Sequence, residues 1–120
     1  MEIETGMGEA LGRYLDLANS EIKLTAVNMA NIDTPGYKAV GLDFETEMRQ
    51  ALGDANKGSP GRPPRVRVVD GLIARPDGND VSMDRESLNL AEAQLKFRVG
   101  VTLLRAENQR VMDAIRADSK

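Results

Sequence analysis

The 120-residue sequence contains neither cysteine nor histidine. Without cysteine there are no disulfides and no thiolate metal ligands. Without histidine, the commonest general base and metal ligand is missing. Tryptophan is also absent and aromatic residues make up only 3%, so buried area must come from aliphatic side chains. We therefore expect no enzyme activity, no cofactor and no metal site.

Neither charge nor hydropathy indicates binding to nucleic acid or to a membrane. The net charge of -3 gives no overall attraction to nucleic acid or to an anionic membrane. No apolar run approaches the roughly 18 to 20 residues of a membrane-spanning helix, so we expect no direct membrane span. The N-terminal MEIETGMGEA lacks a basic region followed by an apolar one, which predicts no cleavable signal peptide. Taken alone, these features indicate a cytoplasmic protein.

The pattern between Met7 and Asn31 predicts a first helix. Its apolar residues recur at alternating steps of four and three, which is a heptad seam. A second apolar row lies beside this seam and widens the face. The seam consists of Leu11, Leu15, Ala18, Ile22, Thr25, Met29 and Ile32, and the neighbouring row of Ala10, Tyr14, Leu17 and Leu24.

A second helix is predicted to begin between Ser82 and Asp84 and to end near Arg116. Either Ser82 or Asp84 can serve as its N-cap. It carries two apolar rows on nearly opposite sides, since two positions along a helix turn it by about 200°. One row is Leu90, Ala93, Phe97, Val101, Leu104, Asn108, Val111 and Ile115; the other is Leu88, Ala91, Leu95, Val99, Leu103 and Ala106.

A helix that is apolar on two sides is buried on two sides, and one partner helix covers only one of them. The second row is therefore expected to meet other chains, the alternative being a middle segment folded over it. We expect Leu95 and Leu103 to face the first helix. Val101, Leu104 and Val111 would then face neighbouring subunits, although the sequence leaves the order of the two rows open.

Residues 53–80 contain five glycines and four prolines, which exclude a continuous helix. We expect a flexible segment. A short β-hairpin fits the stretches 66–69 and 72–74, which flank the turn signal Asp70-Gly71. The predicted organisation is 1–52, 53–80 and 81–120, with the first and third parts packed as one helical domain. The fold class is mainly α, with long terminal helices in an antiparallel hairpin or coiled coil.

The string NMANIDTPGYK, residues 28–38, ends the first helix with several turn-forming residues at once. Thr34-Pro35-Gly36-Tyr37 suits a type II turn, because Pro pre-sets φ and Gly accepts a positive φ. The string therefore predicts a fixed corner that redirects the chain. The residues assigned to this corner are Asn28, Asn31, Asp33, Thr34, Pro35, Gly36, Tyr37 and Lys38.

Three side chains of the corner have specific expected roles. Asn31 would close the helix in the left-handed conformation, and Asp33 would bond the backbone ahead of it. Asn28 and Asn31 share a helical face, so we expect both amides to meet the returning chain. Tyr37 is expected to fold its ring back on the helix.

Two strings resemble the signatures of the axial proteins of the bacterial flagellum, and within that family most closely its proximal-rod proteins. The first is NMANIDTPGYKAVGLDF at 28–44, and the second is GNDVSMDRESLNLAEAQLKFRV at 78–99. They occur in the family's order and separation. The resemblance covers residues 10–50 and 77–116, and the middle segment carries little of it.

The resemblance implies a non-catalytic structural subunit of the proximal rod of the flagellar basal body. Such a subunit is exported by the flagellar type III apparatus without a cleaved signal peptide, so its expected location is the periplasmic rod rather than the cytoplasm. Implied partners are other copies of itself, other rod proteins, and adaptor proteins of the inner-membrane ring and export gate. Expected assembly residues on the second helix are Leu88, Leu90, Leu95, Phe97, Val101, Leu103, Leu104, Val111 and Ile115.

Two other functions compete with a structural role. The acidic stretch from Asp77 to Glu86 lacks the alternation of a calcium-binding loop and fits a capped helix start. The middle segment is locally basic, which leaves a small nucleic-acid-binding or other helical adaptor module as the alternative, although no aromatic residues interleave for base stacking. Its basic residues are Lys57, Arg62, Arg65, Arg67 and Arg75.

Overall fold

The computed structural model describes residues 5–119 and shows a mainly helical chain with one small sheet. This confirms the predicted fold class. In chain order the elements are α1 (Gly6–Ala30), β1 (Val40–Gly41), α2 (Phe44–Asn56), β2 (Arg67–Val68) and α3 (Met83–Asp118).

The two long helices begin at polar caps. The Thr5 hydroxyl accepts a hydrogen bond from the Gly8 backbone N–H at 2.9 Å, and the Ser82 hydroxyl accepts one from the Arg85 N–H at 3.3 Å. Each cap satisfies an N–H group that the helix itself leaves without a partner. The start of α3 at Ser82 and the end of α1 agree with the sequence pattern.

Helices α1 and α3 pack as the predicted antiparallel hairpin. The buried residues of α3 recur every seventh position, at Glu86, Ala93, Gly100 and Glu107. They face α1, where Leu11, Ala18 and Thr25 are buried at the same interval. A Cβ atom at Gly100 would lie 2.7 Å from Leu15 Cδ2, so the missing side chain lets the two helices approach closely. This spacing is that of a coiled-coil seam.

Helix α2 was not predicted. Asp43 caps it, since its carboxylate accepts a hydrogen bond from the Thr46 N–H at 3.2 Å. The helix packs on α1 through Phe44, whose ring meets Tyr14 edge-to-face at 5.4 Å, and the Lys96 ammonium lies 4.0 Å from the centre of the Phe44 ring. It continues to Asn56 and so crosses the predicted boundary at residue 52. The division of the chain into 1–52, 53–80 and 81–120 stays a prediction.

The predicted β-hairpin within the middle segment is wrong in its pairing. The strand at Arg67–Val68 exists, but its antiparallel partner is β1, with Val40 opposite Val68 and Gly41 opposite Arg67. The stretch 72–74 is not a strand, and the Ile73 side chain is 93% exposed. β1 offers a better partner because α1 already supports it, whereas a hairpin of residues 66–74 would stand alone and be marginal.

The molecule is elongated, measuring 70 × 26 × 21 Å along its principal axes. α3 accounts for the length, because it continues to Asp118, well past Glu107, which contacts the first described residue, Thr5. Within residues 5–119, none of the helices is both long enough and apolar enough to cross a membrane.

Candidate functional site

The corner after α1 has the geometry of a type II turn. Gly36 has φ +75°, and the Tyr37 N–H donates to the Thr34 carbonyl at 3.2 Å. The Gly36 N–H donates to the Asp77 carbonyl at 2.8 Å. The turn is therefore bonded to a segment more than forty positions later in the chain, just ahead of α3.

Asn28 joins α1 to the returning chain. Its Nδ2 donates to the Val40 carbonyl at 2.8 Å, and its Oδ1 accepts from the Val40 N–H at 2.9 Å. The amide thus pairs with Val40 as a neighbouring strand would. Oδ1 also accepts from the Tyr37 hydroxyl at 3.3 Å, and Nδ2 donates to Glu86 Oε1 at 3.1 Å. The expected roles of the Asn28 amide and the Tyr37 ring are confirmed.

Asn31 and Asp33 differ from expectation. Asn31 ends α1, but with φ -105° and ψ 18° it is not left-handed, and its amide bonds locally, to the Val27 carbonyl and to the Thr34 hydroxyl. Asp33 is exposed, and its carboxylate accepts no hydrogen bond within residues 5–119. A left-handed cap is unnecessary because the N–H groups of Asn31 and Ile32 already bond to the last carbonyls of α1. The carbonyls that follow α1 are bound by another residue, Asn79.

Asn79 is completely buried. Its Nδ2 lies within hydrogen-bonding distance of three carbonyls, those of Asn31 at 2.9 Å, Ile32 at 3.0 Å and Thr34 at 2.8 Å. Its Oδ1 accepts from the Val81 N–H at 2.8 Å. One side chain thereby binds polar groups on both sides of the junction. The Val81 N–H has no other acceptor within residues 5–119, whereas each of the three carbonyls also accepts from a second donor.

Further bonds connect the same two segments. The Asp80 carboxylate accepts from the Ala39 N–H at 2.7 Å, and the Asp80 N–H donates to the Tyr37 carbonyl at 3.2 Å. The Lys38 ammonium donates to the Gly78 carbonyl at 2.8 Å, and the Arg75 guanidinium donates to the carbonyls of Ile32 and Val81. We call the bonded segments 34–40 and 75–81 the clasp.

The clasp brings together the two strings by which the sequence resembles the flagellar axial proteins. Sequence reasoning assigned the corner to the first string alone and missed Arg75, Asn79 and Asp80. The available signal was the consecutive amide and carboxylate side chains of Asn79 and Asp80, shortly before the N-cap of α3. Nothing in their spacing, however, indicates that they bind the segment that follows α1.

The middle segment is held against α2 by a buried ion pair. Both Glu47 oxygens accept from the Arg62 guanidinium at 3.0 Å, and Oε1 also accepts from the Arg65 N–H. These hydrogen bonds, that of Arg62 first, hold the pKa of Glu47 below its ordinary value. Because Arg62 and Arg75 are bound within the molecule, the basic set that suggested nucleic-acid binding is not available as a whole.

The two rows of α3 lie on opposite sides, but their expected order is wrong. Leu95 and Leu103 point away from α1 and are 61% and 49% exposed. Ala93 and Gly100 face α1 instead, because small residues allow a closer approach than a row of leucines. We call the uncovered side the open face; its residues are Leu88, Ala91, Leu95, Val99, Leu103 and Ala106, all exposed.

The other predicted assembly residues lie on the inner side or its margin. Leu90, Val101, Leu104 and Val111 are half-buried, while Phe97 and Ile115 are exposed by 37% and 41%. The structure therefore separates the predicted set into the open-face members Leu88, Leu95 and Leu103 and the remainder. Whether either group contacts other subunits stays a prediction.

The far end of the hairpin is joined by a second buried carboxylate. Glu107 Oε1 accepts from the Thr5 hydroxyl at 2.7 Å and from Arg110 Nη2 at 2.8 Å, and Oε2 accepts from Arg110 Nε at 3.0 Å. The Arg110 bonds, followed by that of Thr5, lower the pKa of Glu107 to about 2. The carboxylate is therefore charged at neutral pH and ties the start of α1 to α3.

An elongated hairpin of two long helices is the architecture of a helical structural protein. No family model matches the sequence. It is 31% identical over 119 residues to the flagellar basal body rod protein FlgB of Salmonella typhimurium, covering 84% of this chain and 86% of the relative. FlgB of Proteus mirabilis is 30% identical over 116 residues (82% and 85% covered). FlgB of Cereibacter sphaeroides is 29% identical over 127 residues (95% and 99% covered).

The chain therefore belongs to the FlgB family of flagellar basal body rod proteins. This assigns it a structural role in the rod of the basal body.

Proposed function

We propose that this protein is a self-assembling subunit of the proximal rod, which packs against copies of itself and against other rod proteins through the open face of α3. The observation that carries this proposal is the open face itself. Three leucines and a valine are about half exposed there in the single chain, and no segment among residues 5–119 covers them.

The free energy available from such contacts is substantial. Complete burial of a fully exposed leucine or valine contributes roughly 1.5 to 3 kcal/mol, so covering the exposed half of such a side chain contributes roughly 1 kcal/mol. The open face offers several such residues along one helix. A contiguous exposed apolar patch on a small protein indicates an interaction site. The clasp is consistent with the same role. By bonding segments 34–40 and 75–81 to each other, it fixes where the chain between them leaves and rejoins the helical hairpin.

Membership of the family indicates a location in the basal body. Within the basal body, we infer that the protein lies in the proximal rod. It would reach the periplasm through the flagellar type III export apparatus without a cleaved signal peptide. There it would link adaptor proteins of the inner-membrane ring and export gate to the rod above, and so carry torque.

The test is the pair of variants Leu95→Glu and Gln94→Glu. Both introduce a carboxylate at an exposed position, but the two positions lie about 100° apart around the helix. We expect Leu95→Glu to abolish swimming in soft agar and to remove the protein from purified basal bodies, since assembly would bury an unpaired charge. Gln94→Glu should swim normally. Wild-type motility of the Leu95 variant, with the protein present in the rod, would refute packing through the open face.

A further inference from the structure

Strand β2 has one edge that no other strand within residues 5–119 pairs with. Val40 lies opposite Val68 in the antiparallel register, yet the N–H and C=O groups of Val40 bond to the Asn28 amide, away from β2. Opposed residues of an antiparallel pair either both exchange hydrogen bonds or both point outward. The N–H and C=O groups of Val68 therefore point away from β1, towards the surface.

The two edges of this sheet are treated differently. The Asn28 side chain occupies the outer edge of β1, as a third strand would. On the other side, Val66 and Val68 have the same alternation, and their side chains are 52% and 53% exposed. An exposed edge of this kind is a template for one more extended chain.

The side chains beside the edge specify the composition of such a chain. Alternate residues of a strand point to opposite faces, so Val66 and Val68 share one face and Arg65 and Arg67 the other, all of them exposed. Cross-strand neighbours on one face interact directly. A matching strand would place apolar residues beside the valines and acidic residues beside the arginines.

We propose that the free edge of β2 takes up an extended, acidic segment of another subunit as a third strand, with apolar and acidic residues in alternation. The main-chain groups of Val66 and Val68 would supply the hydrogen bonds, and Arg65 and Arg67 the preference for acidic residues. Arg67 Nη2 already lies 3.9 Å from Asp43 Oδ2 in an exposed ion pair, so Arg65 is the main source of that preference. This inference rests on the proposed rod assembly in one respect, namely that the segment belongs to another subunit. Its test uses only the purified full-length protein and a peptide. Failure of this test would therefore not refute the proposed function, and failure of the motility test would not refute this inference.

The probe is the synthetic peptide Ac-EVEVEV-NH2, titrated into the full-length protein and followed by NMR. We expect binding on the order of 0.1 to 1 mM, with the largest shift and new protection from hydrogen exchange at the Val68 amide. The peptide Ac-KVKVKV-NH2 should bind at least about tenfold more weakly, which corresponds to about 1.4 kcal/mol. Absence of saturable binding of the acidic peptide, or equal binding of the two peptides, would overturn the proposal.

Two variants test the mode of binding. Val68→Pro removes the outward N–H, a position at which a strand tolerates proline, and should weaken binding of the acidic peptide about tenfold. Val68→Thr keeps the N–H and a β-branched side chain and should bind like wild type. Continued protection of the Val69 amide, which donates to the Ala39 carbonyl at 2.9 Å, would show that β1 and β2 still pair.

If Val68→Pro loses that protection, Arg65→Glu decides instead. This substitution lies at an exposed position outside β2. Because it leaves one positive and one negative charge on that face, it should abolish the preference for the acidic peptide. Undiminished binding of the acidic peptide to Arg65→Glu, or to a folded Val68→Pro, would show that the edge is not the binding site.

Discussion

The two faces of α3 differ in both the size and the burial of their side chains. The inner face is buried although its central residues are small or charged: Glu86, Ala93, Gly100 and Glu107. The open face carries the large aliphatic side chains, yet it lies in solvent. Residue hydrophobicity alone would have assigned the faces in reverse.

The difference separates two tasks. The inner face needs close approach and a defined register, which small residues and buried hydrogen-bonded carboxylates provide at the two ends of the seam. In the proposed assembly, the open face supplies apolar area, which contributes free energy only when another chain covers it. On this proposal, different residues of one helix serve the fold of the chain and its assembly.

The largest expected contrast is between Leu103→Glu and Leu104→Glu, neighbours on opposite faces. Both should abolish swimming, but for different reasons. Leu104→Glu forces a charge against α1 and should lower the free energy of unfolding by about 2 kcal/mol. Leu103→Glu should change it by less than about 0.5 kcal/mol, because that charge stays in water until assembly. Soft-agar motility and urea unfolding of the purified variants measure the two effects.

Equal stability of the two variants would remove the distinction between the faces. Normal swimming of Leu103→Glu would show that this part of the open face is exposed to solvent in the rod as well.

The clasp holds the hairpin at one end, and the Asn79 side chain is completely buried in it. Asn79→Ala leaves the buried Val81 N–H without its acceptor and removes one of two donors from the carbonyls of Asn31, Ile32 and Thr34. We therefore expect the free energy of unfolding to fall by about 2 kcal/mol. Asn19→Ala, at an exposed position of α1, should stay within about 0.5 kcal/mol of wild type. Urea denaturation followed by circular dichroism compares them, and similar curves would mean that the clasp contributes little.

The close approach of the helices at Gly100 predicts a smaller effect. Substitution of a helical glycine by alanine should stabilise the protein at Gly12 and destabilise it at Gly100. Gly12→Ala in α1, where an added Cβ meets nothing within 4 Å, should stabilise the protein by up to about 1 kcal/mol through helix propensity. Gly100→Ala gains the same propensity but pushes Leu15 and Tyr14 aside, so we expect a net loss of about 1 kcal/mol. Thermal unfolding decides; a stabilised Gly100→Ala would show that the seam is loosely packed.

The smallest expected effect is the pH dependence from Glu107. Its folded-state pKa of about 2 lies below the ordinary value of 4.5, so its contribution to stability is complete above about pH 4.5 and is lost as the pH falls through 2. Wild type should therefore exceed Glu107→Gln in melting temperature at pH 6, and the difference should shrink steadily towards pH 2. A difference that does not change with pH would mean that the charge of Glu107 is not what ties Thr5 to α3.

Local sequence determined most of the helical framework. Heptad spacing gave α1 and α3, the Ser82 cap gave the start of α3, and Pro35-Gly36 gave the turn, because these depend on near neighbours in the chain. The absence of cysteine and histidine, together with the two strings, indicated a structural subunit of the flagellar rod before any geometry was available. Even the existence of a second apolar row on α3 could be seen in the pattern.

Only the tertiary structure decided which row faces α1, because that choice depends on how closely two helices approach at Gly100, a property of both together. It also decided that β2 pairs with β1 rather than with residues 72–74, since α1 supports one partner and not the other. The contact between Asn79 and the turn after α1 also depends on the folded chain. A buried carbonyl requires a donor but does not specify its place in the sequence, and only the folded chain brings residue 79 to residue 31.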